Sequence, residues 1–252
     1  MEEGAKDIYL SVIVTVWNEE EENIRGTYLR LVKVLTECTP SYELIFVDDG
    51  SQEKTFKVLK DIFENDKNVK IVRLIRNFGQ AAAFLAGFQF AKGATLVTID
   101  IDLQYLPEDI PKLIDKIKKG YDLVSGWRKN RKDALFTRKI PSYIINKFIQ
   151  KKTGIRFHDW GCFFNAFQSN LVRQLKDFDG NVRFLKPHLA HLASFPMEAE
   201  VRHCPRRIGR SKYSSFRLAK IALDIFFNFS LNPAPTNNPP FVVKEVIEQN
   251  KP

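Results

Sequence analysis

Ala94-Thr95-Leu96-Val97-Thr98-Ile99-Asp100-Ile101-Asp102 is the stretch on which the fold turns. Its first six residues form a short, β-branched, apolar run that reads as a buried strand. Two carboxylates follow, one residue apart. An unpaired carboxylate in a protein interior is costly. A hard divalent cation removes that cost, because Mg²⁺ is held by one or two carboxylates together with substrate phosphates. In extended backbone, positions i and i+2 point the same way, so Asp100 and Asp102 can address one ion. The plainer reading is a turn or helix cap after the strand, which Asp also favours.

The same pattern recurs on both sides of this stretch. Ser11–Val16, Glu43–Val47, Val69–Leu74 and Asp122–Gly126 read as further strands. Helices are expected from Asn18–Glu22 onward, over Lys54–Asn65, over Gly79–Ala91 and from Pro107 to about Lys119. Strands alternating with helices at this spacing indicate βαβ units and a mostly parallel α/β sheet. Ligands of such sheets bind beyond the carboxyl ends of the strands. Three of those ends carry polar groups: Trp17-Asn18-Glu19, Asp48-Asp49 and Asp100/Asp102.

The 252 residues suit one α/β domain, or one domain with a small appendage, and 44% hydrophobic residues can supply its core. Cys38, Cys162 and Cys204 stand far apart, as expected of reduced thiols rather than a disulfide frame or a zinc site. No signal peptide is expected at Met1-Glu2-Glu3-Gly4, and no run reaches the length of a membrane span. The net charge is +9, unevenly placed. Residues 128–156 hold ten Lys/Arg and one acid, and residues 202–220 hold seven Lys/Arg and none. The remainder therefore carries net −7, so an acidic body bears two basic segments that suit an anionic partner.

The second half is organised differently. Residues 134–153 and 214–230 are amphipathic and basic, as membrane-interface helices are, and residues 232–252 read as a Pro/Asn-rich linker or disordered tail after a domain of residues 1–231. The adjacent acids of Asp48-Asp49-Gly50-Ser51 exceed what a strand-to-helix turn needs, and a nucleotide is a fair partner for them. Glu19–Glu22 can be simply an acidic first helical turn. Asn77-Phe78-Gly79-Gln80 can start the Ala-rich helix, or offer backbone N–H groups to phosphate. His158-Asp159 lacks a nearby nucleophile, and His188-x-x-His191 lacks a third zinc ligand. Arg128, Arg138 and the basic run Arg206–Tyr213 suit phosphate recognition better.

Taken in order, six stretches resemble the family 2 glycosyltransferases of the GT-A fold. They are Val16-Trp17-Asn18-Glu19-Glu20, Val47-Asp48-Asp49-Gly50-Ser51, Arg76-Asn77-Phe78-Gly79-Gln80, Asp100-Ile101-Asp102-Leu103-Gln104, Val124-Ser125-Gly126-Trp127-Arg128 and Gly209-Arg210-Ser211-Lys212-Tyr213. The likeness runs from about Ser11 to about Phe229 and is greatest to the polyprenyl-phosphate branch. His158-Asp159-Trp160-Gly161-Cys162 and Pro205-Arg206-Arg207 look most like the bacterial undecaprenyl-phosphate aminoarabinose-type transferases. The chain departs from the family pattern at Thr15, Ala94 and Tyr105-Leu106, the last two bearing on the shape of the sugar pocket.

The resemblance implies a GT-A sheet flanked by helices, with C-terminal amphipathic interface helices. It implies that Thr15, Trp17, Glu19, Asp48, Asp49, Gln80 and Ile101 line the nucleotide pocket. Asp100 and Asp102, with Gln104, would hold Mg²⁺ or Mn²⁺ and the sugar diphosphate. Arg128, Arg138 and Ser142 would bind the acceptor phosphate, Asp159 would orient acceptor or sugar, and Arg210, Ser211 and Lys212 would close over the diphosphate. The implied reaction moves a sugar, with inversion, from a GDP-, UDP- or dTDP-linked donor to a dolichyl or undecaprenyl phosphate. It would take place on the inner face of the cell membrane, with the protein bound peripherally to anionic lipid, or anchored in the membrane if this sequence is a piece of a longer chain. Nucleic acid is not expected as a partner, and a homo-oligomer stays open. The competing reading is a soluble family 2 enzyme with a glycan, protein or small-molecule acceptor.

Overall fold

A computed structural model describes residues 9–129, 140–177, 184–204 and 239–249, and everything below concerns these. All five expected strands are present: β1 (Leu10–Val16), β2 (Tyr42–Asp48), β3 (Val69–Leu74), β4 (Thr95–Asp100) and β5 (Leu123–Trp127). The helices between them are α1 (Glu21–Cys38), α2 (Glu53–Asn65), α3 (Gln80–Phe90) and α4 (Ile110–Lys118), the last entered through a 3₁₀ turn at Pro107–Asp109. Then follow α5 (Ile140–Thr153), β6 (Asn165–Gln168), α6 (Ser169–Arg173), α7 (Leu185–Leu192), β7 (Pro196–Glu200) and β8 (Val243–Ile247).

The strands form one sheet in the order β7-β5-β6-β4-β1-β2-β3-β8. Strands β1 to β5 and β7 run one way, while β6 and β8 run against their neighbours. Both faces are covered, so the side chains of each strand alternate between two cores. Val12, Val14, Leu44 and Phe46 enter one, and Ile13, Ile45 and Val47 enter the other. Burying each such side chain contributes about 1.5–3 kcal/mol. Two-sided burial is also why these strands read as continuous apolar runs.

One reading of the C-terminal half needs correction. Residues 232–252 are not simply a linker or tail, because β8 pairs antiparallel with β3 and closes that edge of the sheet. Ion pairs hold it there: Glu245 to Arg73 at 3.5 Å and Glu248 to Lys70 at 3.0 Å. The Pro-rich stretch before it masks a strand of only five residues, Val-Lys-Glu-Val-Ile. The helix expected within 134–153 is present as α5; of its apolar residues, Ile149 is buried and Ile145 and Phe148 pack, partly buried, against the same cluster. Residues 134–139 and 214–230 lie outside the described residues. Among those described, no helix is long and apolar enough to cross a membrane.

Candidate active site

The sheet order reverses between β1 and β4, since the chain proceeds from β1 outward through β2 and β3 and then returns to β4. A crevice at the carboxyl ends of strands is expected at such a switch point. The register brings the predicted residues to it. Thr15 lies level with Asp100 on one side and with Val47 on the other, and Val16 lies level with Asp48.

Beyond β1 the chain turns through Asn18, whose φ of 44° is left-handed, a conformation Asn tolerates. Its backbone N–H donates to Ser51 Oγ at 2.9 Å, and its side-chain oxygen accepts the Gln52 N–H at 2.8 Å. These bonds knit the Trp17-Asn18-Glu19 turn to the turn after β2. Glu19 is buried, and its carboxylate accepts from the Asn23 amide at 2.9 Å. Glu19 therefore has a local use inside the turn.

The two adjacent acids have different duties. Asp48 is wholly buried; its Oδ1 accepts the Ser51 N–H at 2.9 Å, and its Oδ2 lies 3.2 Å from Arg73 Nε. Burial pushes its carboxyl above the usual range, against the pull of Ser51 and Arg73. Asp49 reaches across to the loop after β3. It accepts the Phe78 N–H at 2.7 Å, the Gly79 N–H at 2.9 Å and the Asn77 side-chain amide at 2.7 Å. Two of the N–H groups considered for phosphate are thus used by Asp49. Burial pushes Asp49 up to about 6 even against those donors. Gly50 makes the close approach possible: its φ is +67°, and a side chain there would run into the Arg76 main chain and lie 2.7 Å from Asn77 N.

The loop that Asp49 anchors delivers Gln80, whose side-chain amide donates to Asp100 Oδ1. Ile101 is buried, and its carbonyl accepts the Thr27 hydroxyl at 2.8 Å. Leu103 takes a left-handed φ of 58°, which turns the chain sharply after Asp102. Asp102 Oδ1 accepts the Gln104 N–H at 3.1 Å. Asp102 therefore caps the turn, as the plainer reading of the pair has it, while Asp100 ends β4 and meets Gln80. Among the described residues there is no group of three or more His, Cys, Asp or Glu that could hold a metal. Two carboxylates are oxygen donors of the kind hard divalent ions take, with other positions left for phosphate and water. Tyr105 is buried, with its ring centroid 5.7 Å from that of Phe164 and 5.8 Å from that of His203.

Arg128 and Asp159, predicted separately, are brought together. Arg128 Nε donates to Asp159 Oδ2 at 2.6 Å and Nη2 to Oδ1 at 2.9 Å, with both side chains buried. The Arg128 backbone N–H adds a third bond at 3.3 Å. His158 and Asp159 are both held by Glu198, which accepts the backbone N–H of each and His158 Nδ1 at 2.7 Å. Glu198 and Lys186, which donates to the Asp159 and Cys162 carbonyls, were not predicted. Neither lies in a motif; each sits on an element whose sequence gives no pattern. Arg138, Arg210, Ser211 and Lys212 lie outside the described residues, and Ser142 falls in α5 with its side chain outside them.

The sequence model for glycosyl transferase family 2 matches residues 11–177. The dodecaprenyl-phosphate galacturonate synthase of Rhizobium johnstonii is 37% identical over 224 residues, 87% of this chain and 66% of that protein. The undecaprenyl-phosphate 4-deoxy-4-formamido-L-arabinose transferase of Photorhabdus laumondii is 39% identical, over 86% of this chain and 66% of that protein. The chain thus spans about two-thirds of the length of the curated relatives it matches. Among solved structures, a glucosyl-3-phosphoglycerate synthase from Mycobacterium tuberculosis, in complex with Mn²⁺, UDP and glucosyl-3-phosphoglycerate, matches with a TM-score of 0.60 at 14% identity. That match covers 87% of this chain and 77% of the other. A mannosyltransferase from Pyrobaculum calidifontis in complex with GDP-Man and Mn²⁺ matches with a TM-score of 0.56 at 18% identity, over 79% of this chain and 57% of the other. These likenesses establish the expected GT-A type of sheet.

Proposed function

Because the chain belongs to glycosyl transferase family 2, we propose that it moves a sugar from a nucleoside-diphosphate donor to a polyprenyl phosphate, with inversion. The observation that carries this reading is the convergence of Thr15, Asp48 and Asp100 at the switch point of the sheet, with Asp102 two residues beyond the end of β4. The relatives named above act on undecaprenyl or dodecaprenyl phosphate by their names, which supports the acceptor class.

Asp100 and Asp102 would hold Mg²⁺ or Mn²⁺ together with the diphosphate, and Gln80 orients Asp100 through its amide. When bound, the ion would supply Lewis-acid stabilisation of the leaving diphosphate. Asp48 and Asp49 act on the nucleotide side mostly by building its walls, since their oxygens are engaged by Ser51, Arg73 and the Asn77–Gly79 loop. Arg128 presents fixed positive charge near the acceptor phosphate, which is already anionic at neutral pH and needs no strong base. Asp159 holds that guanidinium in place. The protein would work at the cytoplasmic face of the membrane, where its acceptor is anchored.

The test is donor turnover. UDP-, GDP- and dTDP-sugars are supplied with Mn²⁺ or Mg²⁺, with and without a polyprenyl phosphate in vesicles, and with EDTA as control. Transfer that requires both the lipid phosphate and the ion is the expected result. Transfer to a water-soluble acceptor without lipid overturns the acceptor assignment in favour of the soluble reading, and transfer in EDTA overturns the role of Asp100 and Asp102.

A further inference from the structure

The loop His158–Cys162 is clamped from three elements, and one clamp is a lysine in the protein interior. Lys186 stands on α7 and is 5% exposed. Its ammonium donates to the carbonyl of Asp159 at 2.7 Å and of Cys162 at 3.2 Å, with the Phe157 ring 5.7 Å away. Glu198, from β7, takes the N–H groups of His158 and Asp159 on the other side of the loop. The third clamp is Arg128 at the end of β5, on the Asp159 carboxylate.

A buried ammonium is an expensive way to satisfy two carbonyls. Burial pulls Lys186 below its ordinary range, so the site works against the charge it contains. Water or a hydroxyl would satisfy the same carbonyls at lower cost. What the lysine adds is rigidity: one cation reaches the first and last residues of the Asp159–Cys162 turn and sets the direction of Asp159. Each Asp159 oxygen bonds Arg128, so the position of Asp159 bears directly on that of the guanidinium.

We infer that Lys186 is a positioning residue for Arg128, acting through the Asp159–Cys162 turn. The inference rests on the proposed reading only in its consequence, that a misplaced Arg128 slows transfer to the phosphate acceptor. A displacement of about 1 Å at such a group costs on the order of 100-fold in rate.

The test uses the full chain and the variants Lys186→Met, Arg128→Met and their double. Exchange of the Arg128 Nε–H with solvent, followed by ¹⁵N NMR without any substrate, reads the positioning directly. Protection falling about tenfold or more in Lys186→Met is expected; unchanged protection overturns the inference. In transfer assays Lys186→Met should lose about 100-fold in kcat/KM for the polyprenyl phosphate. Its affinity for UDP or GDP with Mn²⁺ should stay within about threefold, and the double variant should fall no more than about threefold below Arg128→Met, because the two act as a unit. Full multiplication of the two losses overturns it. Should Lys186→Met not melt cooperatively, Lys186→Leu, which likewise removes the donor to the two carbonyls, takes its place in both measurements. A wild-type chain that transfers no sugar sinks the proposed function, while the exchange measurement still decides the role of Lys186.

Discussion

Asp49 accepts the backbone N–H of Gly79 at 2.9 Å, joining the turn after β2 to the loop after β3. The neighbouring Phe78 N–H meets the other oxygen at 2.7 Å. An ionised carboxylate serves both donors, and burial opposes its ionisation. The balance sets Asp49 at about 6, above the ordinary carboxylate range. A folded value above the unfolded one means that the native state binds the proton more tightly. The stability from this group is therefore complete below about pH 4 and is lost as pH rises through about 6. Urea denaturation of wild type and Asp49→Asn between pH 4 and 7.5 checks this. Wild type should lose stability relative to the variant as pH rises, with a slope of at most about 1.4 kcal/mol per unit. A slope of opposite sign refutes it.

Gly50 lies beneath that junction. A methyl group at its φ of +67° meets the Arg76 main chain, which cannot yield without moving the Asn77–Gln80 loop. Gly50→Ala should destabilise the fold by about 2–4 kcal/mol, combining strain with the backbone clash. Denaturant midpoints at constant m-value measure it, and a loss within experimental error would show that the loop relaxes freely.

The Arg128–Asp159 pair makes a different kind of prediction. Asp159→Leu leaves a buried guanidinium without its partner and should cost about 3–5 kcal/mol. Arg128→Met combined with Asp159→Leu removes both charges and should be more stable than Asp159→Leu alone, although its transfer activity is lost. Calorimetric melting of the three proteins tests the order. A double variant less stable than either single one would mean that the charges are not each other's main partners.

Asp102 and Gln80 bear on the metal. With the ion held by Asp100 and Asp102, Asp102→Asn should abolish most of the gain that Mn²⁺ gives to nucleoside-diphosphate affinity. Gln80→Ala touches only the partner of Asp100 and should lower metal affinity by about 10- to 100-fold. Titration calorimetry of UDP and GDP with Mn²⁺ or EDTA distinguishes the two. Equal affinities with and without the ion would remove the metal from this site.

Strand β8 gives the last prediction. Removing residues 242–252 uncovers the hydrogen-bonding edge of β3 and leaves Lys70 and Arg73 without Glu248 and Glu245. The melting temperature should fall by about 5–10 °C, and light scattering should report association through the bare edge. A truncated chain that melts like the full one would make β8 dispensable.

The sequence by itself determined a good deal of this protein. The apolar runs ending at Val16, Val47, Leu74, Ile99 and Gly126 announced the five parallel strands, because burial on both faces writes a strand as a continuous apolar word. The acids at three strand ends marked the switch point, and the ordered motifs gave the family. Strands β6, β7 and β8 stayed unread: Asn165–Gln168 is short, Pro196–Glu200 is polar, and Val243–Ile247 follows a run of prolines. Their existence depends on partners already in the sheet. The same is true of the site. Asp49 and Asp159 were visible as acids, but Asp49 finds its donors about 30 residues away and Asp159 its arginine 31 residues away. Lys186 and Glu198 had no signal at all, since a polar residue inside a protein is defined by what surrounds it. Local periodicity records which surface is buried. Only the tertiary structure decides which buried polar group meets which.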